Sequence, residues 1–156
     1  MRFLELTPDT NDIEASSYAR YVEHLDAIER NIPRALYLML RFPEQAYKDG
    51  QTIYDSILVE WRDILNSNDW KTTAHIRILS PNFDQEFLFT FNDPSVVLAS
   101  SEGGRFRLGE LYCLEVSQSQ MDNTFSFCFM FMTRTEIRID CTSFEFVVRP
   151  LKVDMH

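Results

Sequence analysis

The stretch Thr124-Phe125-Ser126-Phe127-Cys128-Phe129-Met130-Phe131-Met132 decides how this chain folds. Four phenylalanines occupy every second position. A β-strand repeats its side-chain direction every two residues, so the four rings share one face of a sheet. Ser126, Cys128, Met130 and Met132 point the other way and are small or soft, not charged. Both faces are therefore covered, which predicts an interior strand.

Working outward, the same period of two recurs through the second half of the chain. Thr73–Leu79 reads as a strand, Ser80–Gln85 as a turn with Pro81-Asn82, and Glu86–Phe91 as the returning strand with Phe87, Phe89 and Phe91 on one face. Ser95–Ala99, Phe106–Leu108 and Leu111–Ser117 are strand-like. Thr135–Asp140 and Ser143–Arg149 close the sheet, and Ser100–Gly104 is a glycine-bearing loop. Short turns between consecutive strands imply antiparallel pairing and not βαβ units.

The first half carries a helical period. A short strand over 2–6 and a turn at Thr7–Thr10 lead to a capping-box pattern, Asn11 with Glu14. Tyr18, Tyr21, Val22, Leu25, Ile28 and Ile32 then form one apolar stripe, and Pro33 either ends this helix or starts the next at its first turn. Residues 34–42 are apolar nearly all round and read as a buried helix closed by Pro43, with a buried strand as the alternative. From Thr52, the stripe Ile53, Tyr54, Ile57, Leu58, Trp61, Ile64 and Leu65 predicts a further helix, ended by Asn66–Asp69. The expected fold is α+β: two to three N-terminal helices packed on one face of a mainly antiparallel C-terminal sheet of five to seven strands. It is one domain over 1–156, helical over about 1–68 and sheet over about 70–150, with Trp61 and Tyr54 meeting the phenylalanine ladder.

Composition bounds the function. The 156 residues suffice for a core without staples. Net charge is −9, with 7 basic and 13 acidic side chains in residues 1–70 and 8 and 11 in the remainder. A field of that sign repels nucleic acid and anionic membrane and favours a basic partner. No signal peptide or membrane span is expected, so the default compartment is the cytoplasm. Only 4 glycines are present against 13 phenylalanines, which disfavours phosphate-cradling loops; no cofactor is expected. Cys113, Cys128 and Cys141 are odd in number and widely spaced, which predicts buried free thiols.

Chemistry-bearing constellations are sparse. His24, His75 and His156 lack metal-ligand spacing to any cysteine or histidine, so no metal site is expected. No Gly-x-Ser-x-Gly elbow exists, and a Cys113 or Cys128 pairing with His75 would place the thiol among apolar neighbours that keep it inert. The carboxylate pairs Asp9/Asp12, Asp84/Glu86 and Glu136/Asp140 fall in turns or on polar strand faces. Asp84 and Glu86 beside His75 form the alternative pocket of a small enzyme or ligand-binding domain. Arg138 between Glu136 and Asp140 predicts a salt-bridge ladder, and Arg105 and Arg107 a charged edge strand.

What remains is surface. Glu23, Asp26, Glu29, Asp55, Glu60 and Asp63 are the expected contact residues, an acidic helical face that docks a basic protein. The size and acidic balance are similar to those of small acidic bacterial immunity proteins, which cap basic toxin domains. The leading expectation is a non-enzymatic protein-binding module, immunity-like in this sense; a homo-oligomer joined through an open sheet edge is a further expectation.

Overall fold

The computed structural model describes residues 3–5, 13–100 and 108–152. The expected turn at Thr7–Thr10, the capping residue Asn11, the Asp9/Asp12 pair, the loop after Ser100, Arg105, Arg107 and His156 lie outside the described residues. Helices come first: α1 (Ala15–Ile28), a 3-10 turn (Glu29–Asn31), α2 (Arg34–Arg41) and α3 (Pro43–Lys48). Among the described residues eight strands follow: β1 (Ile57–Leu65), β2 (Thr72–Leu79), β3 (Gln85–Asn92), β4 (Ser95–Ser100), β5 (Leu111–Gln118), β6 (Phe125–Phe131), β7 (Thr135–Cys141) and β8 (Ser143–Pro150). The fold is α+β and mainly sheet, with every strand pair antiparallel.

The strands divide into two four-stranded sheets, ordered β1-β2-β3-β8 and β4-β7-β6-β5. The chain passes between sheets at two adjacent corners, Asp93-Pro94 and Thr142. The rings of β6 consequently face a second sheet and not the helices. Phe127 lies 4.8 Å from Phe91 and 4.7 Å from Phe144, and Phe129 lies 5.5 Å from Phe89, all edge-to-face. This geometry sets the positive ring edge against the negative ring face. β6 is interior, as its alternation implies, with Cys128 and Met130 buried on its other side. Trp61 and Tyr54 pack on the margin of this core.

The helix expected from Thr52 is instead a buried Thr52–Ile53 segment, a turn at Asp55 (φ +60°) and strand β1. A register shift between Leu58 and Glu60 explains the misleading period. The bulge puts Leu58 and Trp61, three residues apart, on the same face, opposite Ile78 and Ile76. Three-residue apolar spacing then imitates a helix. Residues 34–41 are helical, and Pro43 begins α3 as well as closing α2. Residues 3–5 form no strand; they are a strap whose Phe3 and Leu4 N–H groups donate to the buried Glu115 carboxylate at 2.9 and 2.8 Å. Glu14, with no side-chain cap bond, stands at the start of α1.

Helix α1 covers the outer margin of β5. The Val116 N–H donates to the Tyr21 hydroxyl at 2.8 Å, and the Gln118 N–H donates to His24 Nε2 at 3.2 Å. A margin of this kind otherwise offers unpaired backbone groups. Phe3 stacks on the His24 ring at 4.5 Å. Burial foremost, then the amino-terminal charge, lowers the His24 pKa from 6.5. The sign follows: the unfolded chain protonates first, so His24 supports folding above pH 6.5 and that support is lost as pH falls through its lowered value. Protonated His24 also no longer accepts from Gln118. The urea midpoint is expected to fall between neutral pH and about pH 5, and His24→Gln, which keeps an acceptor, to flatten that fall. An unchanged slope in the variant would place the pH dependence elsewhere.

With so few glycines, the turns use other residues at positive φ, among them Phe83 at +57° between β2 and β3 and Trp70 at +58° between β1 and β2. Phe83 is exposed. Phe83→Gly is expected to raise stability by about 1 kcal/mol, by relieving left-handed strain. A lowered melting temperature would show that the ring earns its place through contacts.

Candidate functional site

Helix α2 turns Leu36, Tyr37, Met39 and Leu40 inward, while Leu38 remains 38% exposed on the far side. Its last turn stops because Pro43 disfavours helical backbone in the residue before it. Phe42 takes φ −127° and ψ 64°, and the chain bends there into α3. The bend leaves Phe42 46% exposed, with the Arg41 guanidinium 4.8 Å above its ring. Asp26 of α1 holds α2 in place, accepting from the Tyr37 hydroxyl at 2.8 Å and from Arg41 Nε at 2.9 Å. Those bonds raise the pKa of both donors, the hydrogen bond to Asp26 being the main cause in each.

Between α2, α3 and β8 lies an open groove of about 670 Å³. Leu38, Met39, Phe42, Ala46 and Val148 supply an apolar lining, with Arg34 and Asp49 at its rim. A smaller hollow of about 400 Å³ lies beside Pro43, Tyr47, Thr52 and Tyr54. Burial pushes the Tyr54 hydroxyl well above its ordinary pKa. Tyr47 is exposed, so α3 carries aromatic surface at both ends. Such an arrangement suits an inserted apolar side chain.

The expected contact carboxylates do not share one face. Glu23 and Glu29 are exposed along α1 and the turn after it, and Asp26 is bound to Tyr37 and Arg41. Asp55 sits in the turn before β1, where its N–H donates to the Leu111 carbonyl. Glu60 and Asp63 lie on β1 opposite Arg77 and Ala74, hence on opposite faces. Glu60 is 3.5 Å from Arg77 and 3.7 Å from Arg62, while Asp63 accepts from Trp61 Nε1 at 3.1 Å. Residues 15–50 carry five basic and five acidic side chains, so the helical layer is itself balanced.

His75, Asp84 and Glu86 do not converge either. His75 Nδ1 lies 3.3 Å from the Thr90 hydroxyl, and Asp84 accepts from Ser80 Oγ at 2.8 Å. Glu86 pairs across from Leu79, four strand residues or ~13 Å along from Thr90. Glu86 is wholly buried, bound by Arg149 and by Arg77 at 3.4 Å. Cys113 and Cys128 lie in the other sheet from His75. All three thiols are buried and none is in a disulfide, and burial pushes Cys141 up to about 12. Arg138 pairs with Glu136 along its own strand at 2.8 Å, and Asp140 accepts from Ser126 at 2.5 Å.

Among the described residues no group of three or more His, Cys, Asp or Glu is placed to hold a metal ion, and no helix is long and apolar enough to cross a membrane. Sequence reasoning missed the groove, although one signal pointed to it. A helix apolar nearly all round, closed by proline at the surface, must leave some apolar residues outside the core. No protein-family model and no curated protein matches the sequence.

Proposed function

We propose that this is a non-enzymatic protein-binding module that receives a basic, apolar-anchored segment of a partner protein in the groove between α2, α3 and β8. The observation that carries the reading is the exposed Phe42 at the α2–α3 bend, beside an apolar lining of Leu38, Met39 and Val148. Anchors of binding energy are typically aromatic or aliphatic groups seated in such hollows. The chain's overall −9 favours encounter with a cationic partner at long range, while the groove itself, with Arg34 and Asp49 at its rim, is balanced. An immunity-like role, with the segment on a basic toxin domain, is the form of this reading that the charge suits best.

Panning a displayed peptide library on the wild-type chain, with Phe42→Asp as counter-selection, tests it. Peptides pairing lysine or arginine with an aromatic or aliphatic anchor are expected, their binding weakening as salt rises. Enrichment that ignores Phe42→Asp, or that lacks basic residues, refutes the reading.

A further inference from the structure

Strand β8 is an edge of its sheet, with β3 on one side and, among the described residues, no strand on the other. The other edges are blunted. Helix α1 covers β5, the bulge after Leu58 breaks β1, and β4 is only six residues long. β8 runs eight residues against β3 without a register shift.

The direction of its backbone groups follows from one bond. The Leu151 N–H donates to the Asp84 carbonyl, directly opposite, at 2.7 Å. Opposed antiparallel residues alternate between bonded and non-bonded pairs. Arg149, Val147 and Glu145 therefore turn their N–H and C=O groups toward β3, while Val148, Phe146 and Phe144 turn theirs away. Among the described residues no backbone group bonds those three on that side. Pro150, which has no N–H, shares the outward orientation, where it costs β3 no ladder bond.

The side chains decide what pairs there. Glu145, Val147 and Arg149 share the outer face, opposite Thr90, Leu88 and Glu86. Val147 is 50% exposed, between an exposed carboxylate and an exposed guanidinium. A two-fold axis at Val147 sets Glu145 of each copy opposite Arg149 of the other, and valine against valine. In that register Phe146 of one copy exchanges both backbone bonds with Val148 of the other, and each Phe144 N–H reaches a Pro150 carbonyl. An axis at Phe146 would set Glu145 against Val147, and an axis at Val148 would set Arg149 against Val147. Only the register about Val147 pairs both charges. β8 carries one acidic and one basic side chain, so the contact is neutral although the chain carries −9.

We propose that a second copy of this chain docks on β8, joining the two β1-β2-β3-β8 sheets edge to edge through antiparallel β8–β8 pairing centred on Val147. The inference does not rest on the groove, which is lined by Val148 on the opposite face of β8 and by α2 and α3.

Sedimentation equilibrium of the full chain tests it. A monomer–dimer equilibrium is expected, with a Kd of about 1–100 μM for so small an interface. Glu145→Arg sets like charges face to face at both ends of the contact and should weaken it roughly tenfold or more. At a dilution where both are monomeric this variant must melt with its parent, which separates lost pairing from lost folding. Val147→Cys reads the register, because opposed Cα atoms of a non-bonded pair lie about 4.5 Å apart, within disulfide reach. With oxidised glutathione it should give a disulfide-linked dimer, and Glu145→Cys, opposite Arg149, should not. A chain still monomeric at about 100 μM, a dimer indifferent to Glu145→Arg, or Val147→Cys cross-linking no better than Glu145→Cys would overturn the inference. Glu145→Arg leaves Phe42 in place, so loss of the dimer and loss of binding in the groove are separate results.

Discussion

Phe127→Ala is expected to lose about 3–5 kcal/mol of folding stability, the range for removing a fully packed aromatic ring. Phe127 is buried where the two sheets meet, and four rings surround it: Phe89, Phe91, Phe129 and Phe144. Removing it takes away the transfer energy of the ring and leaves a hollow that both sheets would have to shift to fill. The neighbours are themselves edge-to-face or stacked, so collapse around the gap breaks further preferred geometries. Domains are stable by only about 5–15 kcal/mol, so the variant approaches the margin of folding. Met132→Ala, one residue beyond the end of the same strand and exposed, should stay within about 0.5 kcal/mol. Both are read from urea denaturation midpoints. A loss near 1 kcal/mol for Phe127→Ala would mean that the ring layer is not the centre of the fold.

The second large effect concerns the outer face of the β1-β2-β3-β8 sheet. Glu86 is wholly buried there under Arg77 and Arg149, although both guanidinium groups reach solvent. Removing both arginines as Arg77→Ala/Arg149→Ala strands a carboxylate in a site with reduced access to water. The expected loss is about 1–3 kcal/mol, the range for leaving a buried acceptor without its donors. Adding Glu86→Leu to that double variant should recover most of the loss, because the triple variant no longer holds an uncompensated charge. If the triple variant is no more stable than the double, the arginines act through the packing of their stems and not through Glu86.

These two predictions also mark where the sequence was readable. The interior position of β6 was legible because a strand covered on both faces displays strict alternation with no charge on either side. The alternations at Phe87, Phe89 and Phe91 and at Phe144 and Phe146 were legible for the same reason. Alternation says which side chains share a face, but not what that face meets. Whether helices or another sheet sealed the phenylalanines was therefore beyond reach, and the second sheet appears only in three dimensions. Strand β1 was misread because the bulge after Leu58 and its exposure on both sides erased the period of two. With that strand taken as a helix, Asp55, Glu60 and Asp63 were assigned to a shared surface they do not form. The groove depends on a bend at Phe42 and on Val148, more than a hundred residues later, and only the proline beside the bend is visible locally. Likewise, nothing in Asn66–Lys71 announces that Trp70 adopts a left-handed backbone.

The contact between α1 and β5 has a bearing on how the chain is made. Tyr21 and Val116 are separated by 95 positions, so on a translating ribosome the guard is complete long before the strand it guards emerges. On a nascent chain folding from its N-terminus, α1 is available to cover the outer margin of β5 as soon as that strand emerges. A truncated product lacking α1 would keep every strand and lose that protection, and polymerisation through β5 is its natural fate.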